Sequence, residues 1–260
     1  MNSKNHWEGQ FCIVTGAASG IGLATAQLLS DSGAIVLGLD RHESAGSRAK
    51  ILLEKKNLYR KCDLSVPESI EKVFAEFKDS KLAALFNVAG LPTNGAGIED
   101  TSVSDWDAIL NVNLRAVFLT SKYSLPLFKN NGGGCIVNVS SVHAYSTMKN
   151  HAAYTASKGG VKALTTELAI ELNPQSIRVV GVAPGGINTP MTTKDLAQDA
   201  EFLNSLGFPT DGKSIGHVGE PEDIARVLVW CASPEASFIT GTTIQADGGL
   251  LSRLGYDKGN

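Results

Sequence analysis

FCIVTGAASGIG, from Phe11 to Gly22, joins a short apolar run to a glycine-rich turn and then to the start of a helical pattern. Phe11 to Thr15 has no polar face, as expected of a strand covered by helices on both sides. Glycines 16, 20 and 22 carry no Cβ, so the chain can turn sharply and its backbone can approach a pyrophosphate whose charge meets the helix N-terminus. The spacing is GxxxGxG rather than GxGxxG, and a tight strand-to-helix turn with no ligand would use the same glycines. Position in the first βα unit favours the dinucleotide reading.

Working outward, similar apolar runs recur at Ala34 to Asp40, Leu58 to Cys62, Ala83 to Val88, Cys135 to Val139 and Ile177 to Val182. Helical patterns lie between them, at Gly20 to Ser32, Glu43 to Lys55, Pro67 to Asp79, Val103 to Asn130, Ala153 to Leu172 and Pro221 to Cys231. Pro67 and Pro221 suit first-turn positions. The alternation predicts an α/β, doubly wound Rossmann fold: a parallel sheet of about seven strands with helices on both faces. No linker or repeat divides the chain, so residues 1–260 read as a single domain. The stretch 190–219 breaks the rhythm and is expected to be a substrate lid.

The chain has 260 residues, Lys+Arg 23 against Asp+Glu 26, a net charge of -3 and 43% hydrophobic residues. This balance excludes fibrous, disordered and strongly basic classes and leaves no electrostatic footprint for nucleic acid or anionic lipid. Cys12, Cys62, Cys135 and Cys231 are scattered without CxxC spacing and read as reduced thiols, with no metal site. No signal-like or membrane-spanning segment is apparent, so the expectation is a cytoplasmic protein with a small-molecule partner.

Asp40 ends the second run, eighteen residues beyond Gly22. A carboxylate there can accept both hydroxyls of an adenosine ribose and would repel a 2′-phosphate, which favours NAD over NADP. Arg41 can offset part of that repulsion, and helix capping would also explain Asp40. Asp63 and Asn87-Val88-Ala89-Gly90 follow strands, where ligands of such sheets lie; turn formation and loop packing account for them too. Tyr154 and Lys158 are four apart and share a helix face, so the ammonium can favour the phenolate of an acid-base tyrosine. A surface amphipathic pair has the same spacing. Ser141, at a strand end thirteen residues earlier, can reach a substrate oxygen. Asn113 stands in a mostly apolar helix, with structural satisfaction and proton relay both open.

Together these motifs resemble the short-chain dehydrogenase/reductase family from Gln10 to about Leu250. They are TGAASGIG at Thr15 to Gly22, NVAG at Asn87 to Gly90, Asn113, Ser141, Tyr154-x-x-x-Lys158 and PGGINT at Pro184 to Thr189. Val88 replaces the family's usual second Asn. The resemblance implies that Tyr154 is the general acid/base, that Lys158 tunes it and binds the nicotinamide ribose, that Ser141 polarises the substrate oxygen, and that Asn113 holds a relay water. Cofactor contacts are implied at Gly16, Ser19, Gly20, Ile21, Gly22, Asp40, Arg41, Asp63, Leu64, Asn87, Ala89, Gly90, Pro184, Gly185, Ile187 and Thr189. A homotetramer is implied as well.

The expected reaction is NAD-dependent interconversion of a secondary alcohol and a ketone by hydride transfer. Asn94, His143, His151, Met191 and Phe202 are expected in the substrate wall with Ser141 and Tyr154. The polarity of Asn94, His143 and His151 suggests a sugar, sugar acid or hydroxy acid, whereas Met191 and Phe202 would suit a steroid or other apolar ketone, and each histidine can equally be loop packing. Rival readings are an NADPH-dependent ketone reductase, such as a 3-oxoacyl-carrier-protein or steroid reductase, and a non-catalytic dinucleotide sensor.

Overall fold

The structure is a computed structural model and describes residues 6–42, 57–192 and 215–252. Seven strands form one sheet: β1 (Phe11–Thr15), β2 (Ile35–Asp40), β3 (Leu58–Lys61), β4 (Leu82–Asn87), β5 (Gly134–Val139), β6 (Ile177–Pro184) and β7 (Thr243–Ala246). Their order is β3-β2-β1-β4-β5-β6-β7, and every neighbouring pair is parallel. The chain reverses its direction of growth between β3 and β4, so the carboxyl ends of β1 and β4 border a crevice.

Strand residues alternate between two buried layers, which explains why their sequences show no polar face. On one side Cys12, Val14, Phe86, Val137 and Val182 pack with α1 (Gly20–Asp31) and a helix at Pro221–Ala232. On the other, Ile13, Leu37, Leu85, Ile136 and Val179 meet α2 (Pro67–Glu76), α4 (Ala116–Asn131) and α5 (Ala152–Leu172). The Pro221–Ala232 helix is α6; Pro67 and Pro221 both open their helices, where a missing N–H costs nothing.

The predicted helix from Val103 to Asn130 is not continuous. It comprises α3 (Val103–Leu110), a π-helical turn at Asn111–Arg115 and then α4. The wider turn carries Asn113, whose amide is fully engaged by backbone and a serine hydroxyl, so side-chain bonding offsets the poorer helix geometry. Helical ends differ as well: α2 stops at Glu76 rather than Asp79, α4 runs to Asn131, where Gly132 adopts the left-handed conformation that ends a helix, and one end each of α1, α5 and α6 shifts by a single residue. The predicted helix at Glu43 to Lys55, residues 193–214 of the expected lid, and Phe202 lie outside the described residues. All four cysteines are buried and free, and among the described residues no cluster suits a metal and no helix is long and apolar enough to cross a membrane.

Candidate active site

A cavity of about 420 Å³ opens along the carboxyl ends of the central strands. Its walls include Gly16, Ser19 to Gly22, Asp40, Arg41, Asp63, Leu64, Ala89, Gly90, Ser141, Tyr154, Lys158, Pro184, Gly185, Ile187, Thr189 and Met191. These residues are spread over most of the chain, yet the strand order delivers them to one crevice.

The glycine-rich turn is shaped by backbone contacts. Gly16 has a φ of +70° and Gly20 a φ of +52°, both in the region that favours glycine. Ser19 is the N-cap of α1 but makes no side-chain cap bond, and no acidic residue occupies the first turn. The helix therefore presents unspent N–H groups to the cavity, a fit for a pyrophosphate. Asp40 stands beside them: its Oδ2 accepts from Ala18 N at 3.1 Å and its Oδ1 from His42 N at 3.2 Å. Thr15 Oγ1 accepts from Val88 N and Ala89 N at 3.0 and 3.1 Å, which pins the NVAG segment to the end of β1.

At the other end of the crevice, Lys158 is buried and its Nζ donates to Val139 O at 2.9 Å. Its ammonium lies 5.7 Å from the Tyr154 ring centre. Ser140 Oγ donates to Lys158 O at 2.9 Å, tying β5 to α5. Ser141 Oγ accepts from His143 N at 3.2 Å, which leaves its own hydrogen available to donate. Asn113 Oδ1 accepts from Leu91 N at 2.7 Å, while its Nδ2 donates to Leu91 O at 3.0 Å and Ser157 Oγ at 3.2 Å. A Cβ placed on Gly90 would lie 3.4 Å from Asn113 Oδ1 and 3.6 Å from Lys158 Nζ, ordinary contact distances, so Gly90 packs directly against both groups.

Burial acts on both members of the Tyr154 and Lys158 pair. It pushes the phenol up, against a hydrogen bond from Ser141 that pulls it down, and it lowers Lys158 to about 8. The lysine is thus poised to change charge near neutrality, and desolvation outweighs the expected charge effect on the tyrosine. A linked stability effect follows. In the unfolded chain Lys158 stays protonated to about pH 10.4, so between pH 8 and 10.4 the unfolded state binds more protons and stability rises with pH. Relative to Lys158→Met, the protein should gain at most about 3 kcal/mol across that window, read as urea midpoints at stepped pH. A pH-independent difference between the two proteins would contradict it.

Some predicted residues do not reach the crevice wall. Asn87 is buried, accepting from Thr120 Oγ1 at 2.7 Å and donating to Asn138 Oδ1 at 2.9 Å, so it braces the ends of β4 and β5. Asn94 is exposed and gives its Nδ2 to Asp105 Oδ2 at 3.1 Å. His143 and His151 stack behind Tyr154, with ring centres 4.7 Å apart. Conversely, Ala108, Val112 and Thr192 line the crevice and were not singled out from the sequence; two are apolar helix residues with no local signal of a site.

The family model described as Enoyl-(Acyl carrier protein) reductase matches residues 16–251. A 3-oxoacyl-(acyl-carrier-protein) reductase of Thermotoga maritima is 38% identical, covering 94% of this chain and 98% of that protein. The cyclohexanol dehydrogenase of an Acinetobacter species is 33% identical, covering 96% and 98%. A solved structure from Beutenbergia cavernae, described as a proposed NAD(P)-dependent gluconate 5-dehydrogenase with NADP at low occupancy, superposes with a TM-score of 0.87 at 31% identity, covering 96% and 99%. The chain belongs to the short-chain dehydrogenase/reductase family. It is an oxidoreductase acting on CH–OH groups.

Proposed function

We propose that the protein is an NAD-dependent oxidoreductase that interconverts a secondary alcohol and a ketone, on a small polar or polyhydroxylated substrate. The observation that carries this reading is the convergence of Tyr154, Ser141 and Lys158 on the crevice that also holds the glycine-rich turn. When bound, a nicotinamide dinucleotide supplies the hydride acceptor, or the donor in the reverse direction. The chain's own groups handle the rest. Tyr154 Oη takes the hydroxyl proton, and Ser141 donates its hydroxyl hydrogen to the same substrate oxygen. Lys158 places positive charge beside the phenolate and, with Asn113, frames Gly90. The free N–H groups of α1 receive the pyrophosphate, and Met191 beside Thr189 closes part of the substrate end. A spectrophotometric screen of NAD+ reduction over sugars, sugar acids, hydroxy acids and steroids tests the reading; absence of turnover with every secondary alcohol would overturn it.

The choice of NAD rests on Asp40, a carboxylate beside the turn that would meet the adenosine ribose. Replacing it by Ala removes both a hydroxyl acceptor and the charge that opposes a 2′-phosphate. Asp40→Ala should lower the ratio of kcat/KM for NAD over NADP by about tenfold or more, equivalent to about 1.4 kcal/mol. An unchanged ratio would clear Asp40 of that role. The similarity to the Thermotoga maritima reductase favours a second reading, NADPH-dependent reduction of a 3-oxoacyl thioester. NADPH oxidation with an acetoacetyl thioester separates the two.

A further inference from the structure

Besides the reacting groups and the glycine-rich turn, the crevice wall includes Asp40, Asp63, Leu64, Ser65, Ala108 and Val112. With the pyrophosphate on α1 and the nicotinamide beside Tyr154, this stretch is the one left for the adenine of a bound dinucleotide. The turn at residues 63–65 is built largely from its own bonds. Asp63 Oδ1 accepts from Ser65 N at 2.9 Å and from Ser65 Oγ at 2.7 Å, Asp63 O accepts from Val66 N at 3.1 Å, and Asp63 N donates to Ser69 Oγ at 3.1 Å. A further bond reaches it from fifty residues away, where Arg115 Nη2 donates to Ser65 O at 2.5 Å. Arg115 ends the π-helical turn Asn111–Arg115, whose Asn113 is engaged near the reacting groups with Leu91 and Ser157. We propose that Arg115 is a positioning residue of the cofactor site: it holds the turn at 63–65 in place for the adenine, and so sets affinity for that half of the dinucleotide rather than the rate of the chemical step. The inference rests on the dinucleotide-dependent reading above and adds to it a residue outside the crevice wall.

Two features set this role apart from packing. Arg115 Nε is buried with no hydrogen-bond partner among the described residues, an unfavourable state for an N–H group. An apolar side chain of similar length would fill the same space without that cost, so what the guanidinium supplies is its donor to Ser65 O. Ser65 is only half-buried, and water can serve its carbonyl when the guanidinium is removed. The bond therefore fixes where the turn sits instead of rescuing a buried acceptor. Asp63 is the group that such placement serves. The hydrogen bonds from Ser65 hold its carboxyl below the usual carboxylate range, and its Oδ2 takes no hydrogen bond among the described residues. An ionised acceptor suits the 6-amino group of adenine and opposes the 6-oxo group of hypoxanthine.

The test measures Kd by fluorescence titration for NADH and for its hypoxanthine analogue, in the unaltered protein, Arg115→Met and Arg115→Lys, with melting temperatures taken without ligand. Arg115→Met should weaken NADH binding by about tenfold and cut the preference for adenine over hypoxanthine by about threefold or more. Its kcat at saturating NAD+, on whichever secondary alcohol is oxidised, should stay within about twofold, so that the loss falls on KM for the cofactor. The melting temperature should be unchanged or higher, because the unpaired Nε is gone. Arg115→Lys, which keeps a charged donor, should restore part of the affinity. A merely structural role would lower the melting temperature or prevent folding, weaken both cofactors alike, or carry kcat down with affinity through Asn113; each of these overturns the proposal, as does unchanged NADH affinity. Failure of the unaltered protein to bind NADH overturns it together with the reading on which it rests.

Discussion

Tyr154→Phe should lower kcat by about 10²- to 10⁴-fold, the range of a positioned acid-base group, while NADH still binds. Only Oη is removed. The ring that His143 meets edge to face remains, and so does the bond from Ser157 Oγ to Tyr154 O at 2.7 Å, which comes from the backbone. Folding and the glycine-rich turn are therefore unaffected, and the loss falls on turnover. The check pairs steady-state rates on whichever secondary alcohol is oxidised with NADH fluorescence titration of the variant. Turnover within tenfold of the unaltered protein would remove the phenol from proton transfer. Loss of NADH binding together with turnover would show that the phenol oxygen holds the cofactor, and the drop in kcat would then not count as evidence of proton transfer.

The same tyrosine shows what could be read in advance. Tyr154 and Lys158 are four residues apart in one helix, so helix geometry alone puts them on one face, and α5 does so. The turn from Gly16 to Gly22 was readable for a similar reason, since its chemistry is local backbone shape. The strand pattern was legible because each run fills two buried layers. The π-helical turn at Asn111–Arg115 was not, because one extra residue per turn leaves no mark on apolar spacing. Nor was the fate of Asn94: its attraction to Asp105 depends on how a loop closes onto the start of α3. His143 and His151 were recognisable as polar groups near the site, whereas their stacking arises from the path of the segment between them.

Gly22→Ala should be the most damaging single methyl group in the cofactor crevice. A Cβ at residue 22 would stand 2.2 Å from Gly16 O, 2.6 Å from Gly16 C and 3.1 Å from Thr15 O, all backbone atoms. Neither side of the contact can yield cheaply. Gly16 N and Ala17 N are bonded to Leu39 O at 2.8 and 3.2 Å, and on its other flank Gly16 is backed by Ala89, whose Cα would lie 3.0 Å from a Cβ there. Relief therefore requires the first turn of α1 to move away from the glycine-rich turn. That movement displaces the free N–H groups offered to the pyrophosphate, so stability and cofactor affinity fall together. Overpacking of this kind costs about 1–3 kcal/mol, which corresponds to a melting temperature lower by about 2–12 °C for a chain of this size. NADH affinity should weaken by about 10- to 100-fold through the same displacement, or about 1.4 to 2.8 kcal/mol. Thermal denaturation without ligand and NADH titration of the folded variant measure the two separately. An unchanged melting temperature would mean that the turn is softer than its contacts imply; normal NADH binding by a destabilised variant would mean that the pyrophosphate does not lie on α1.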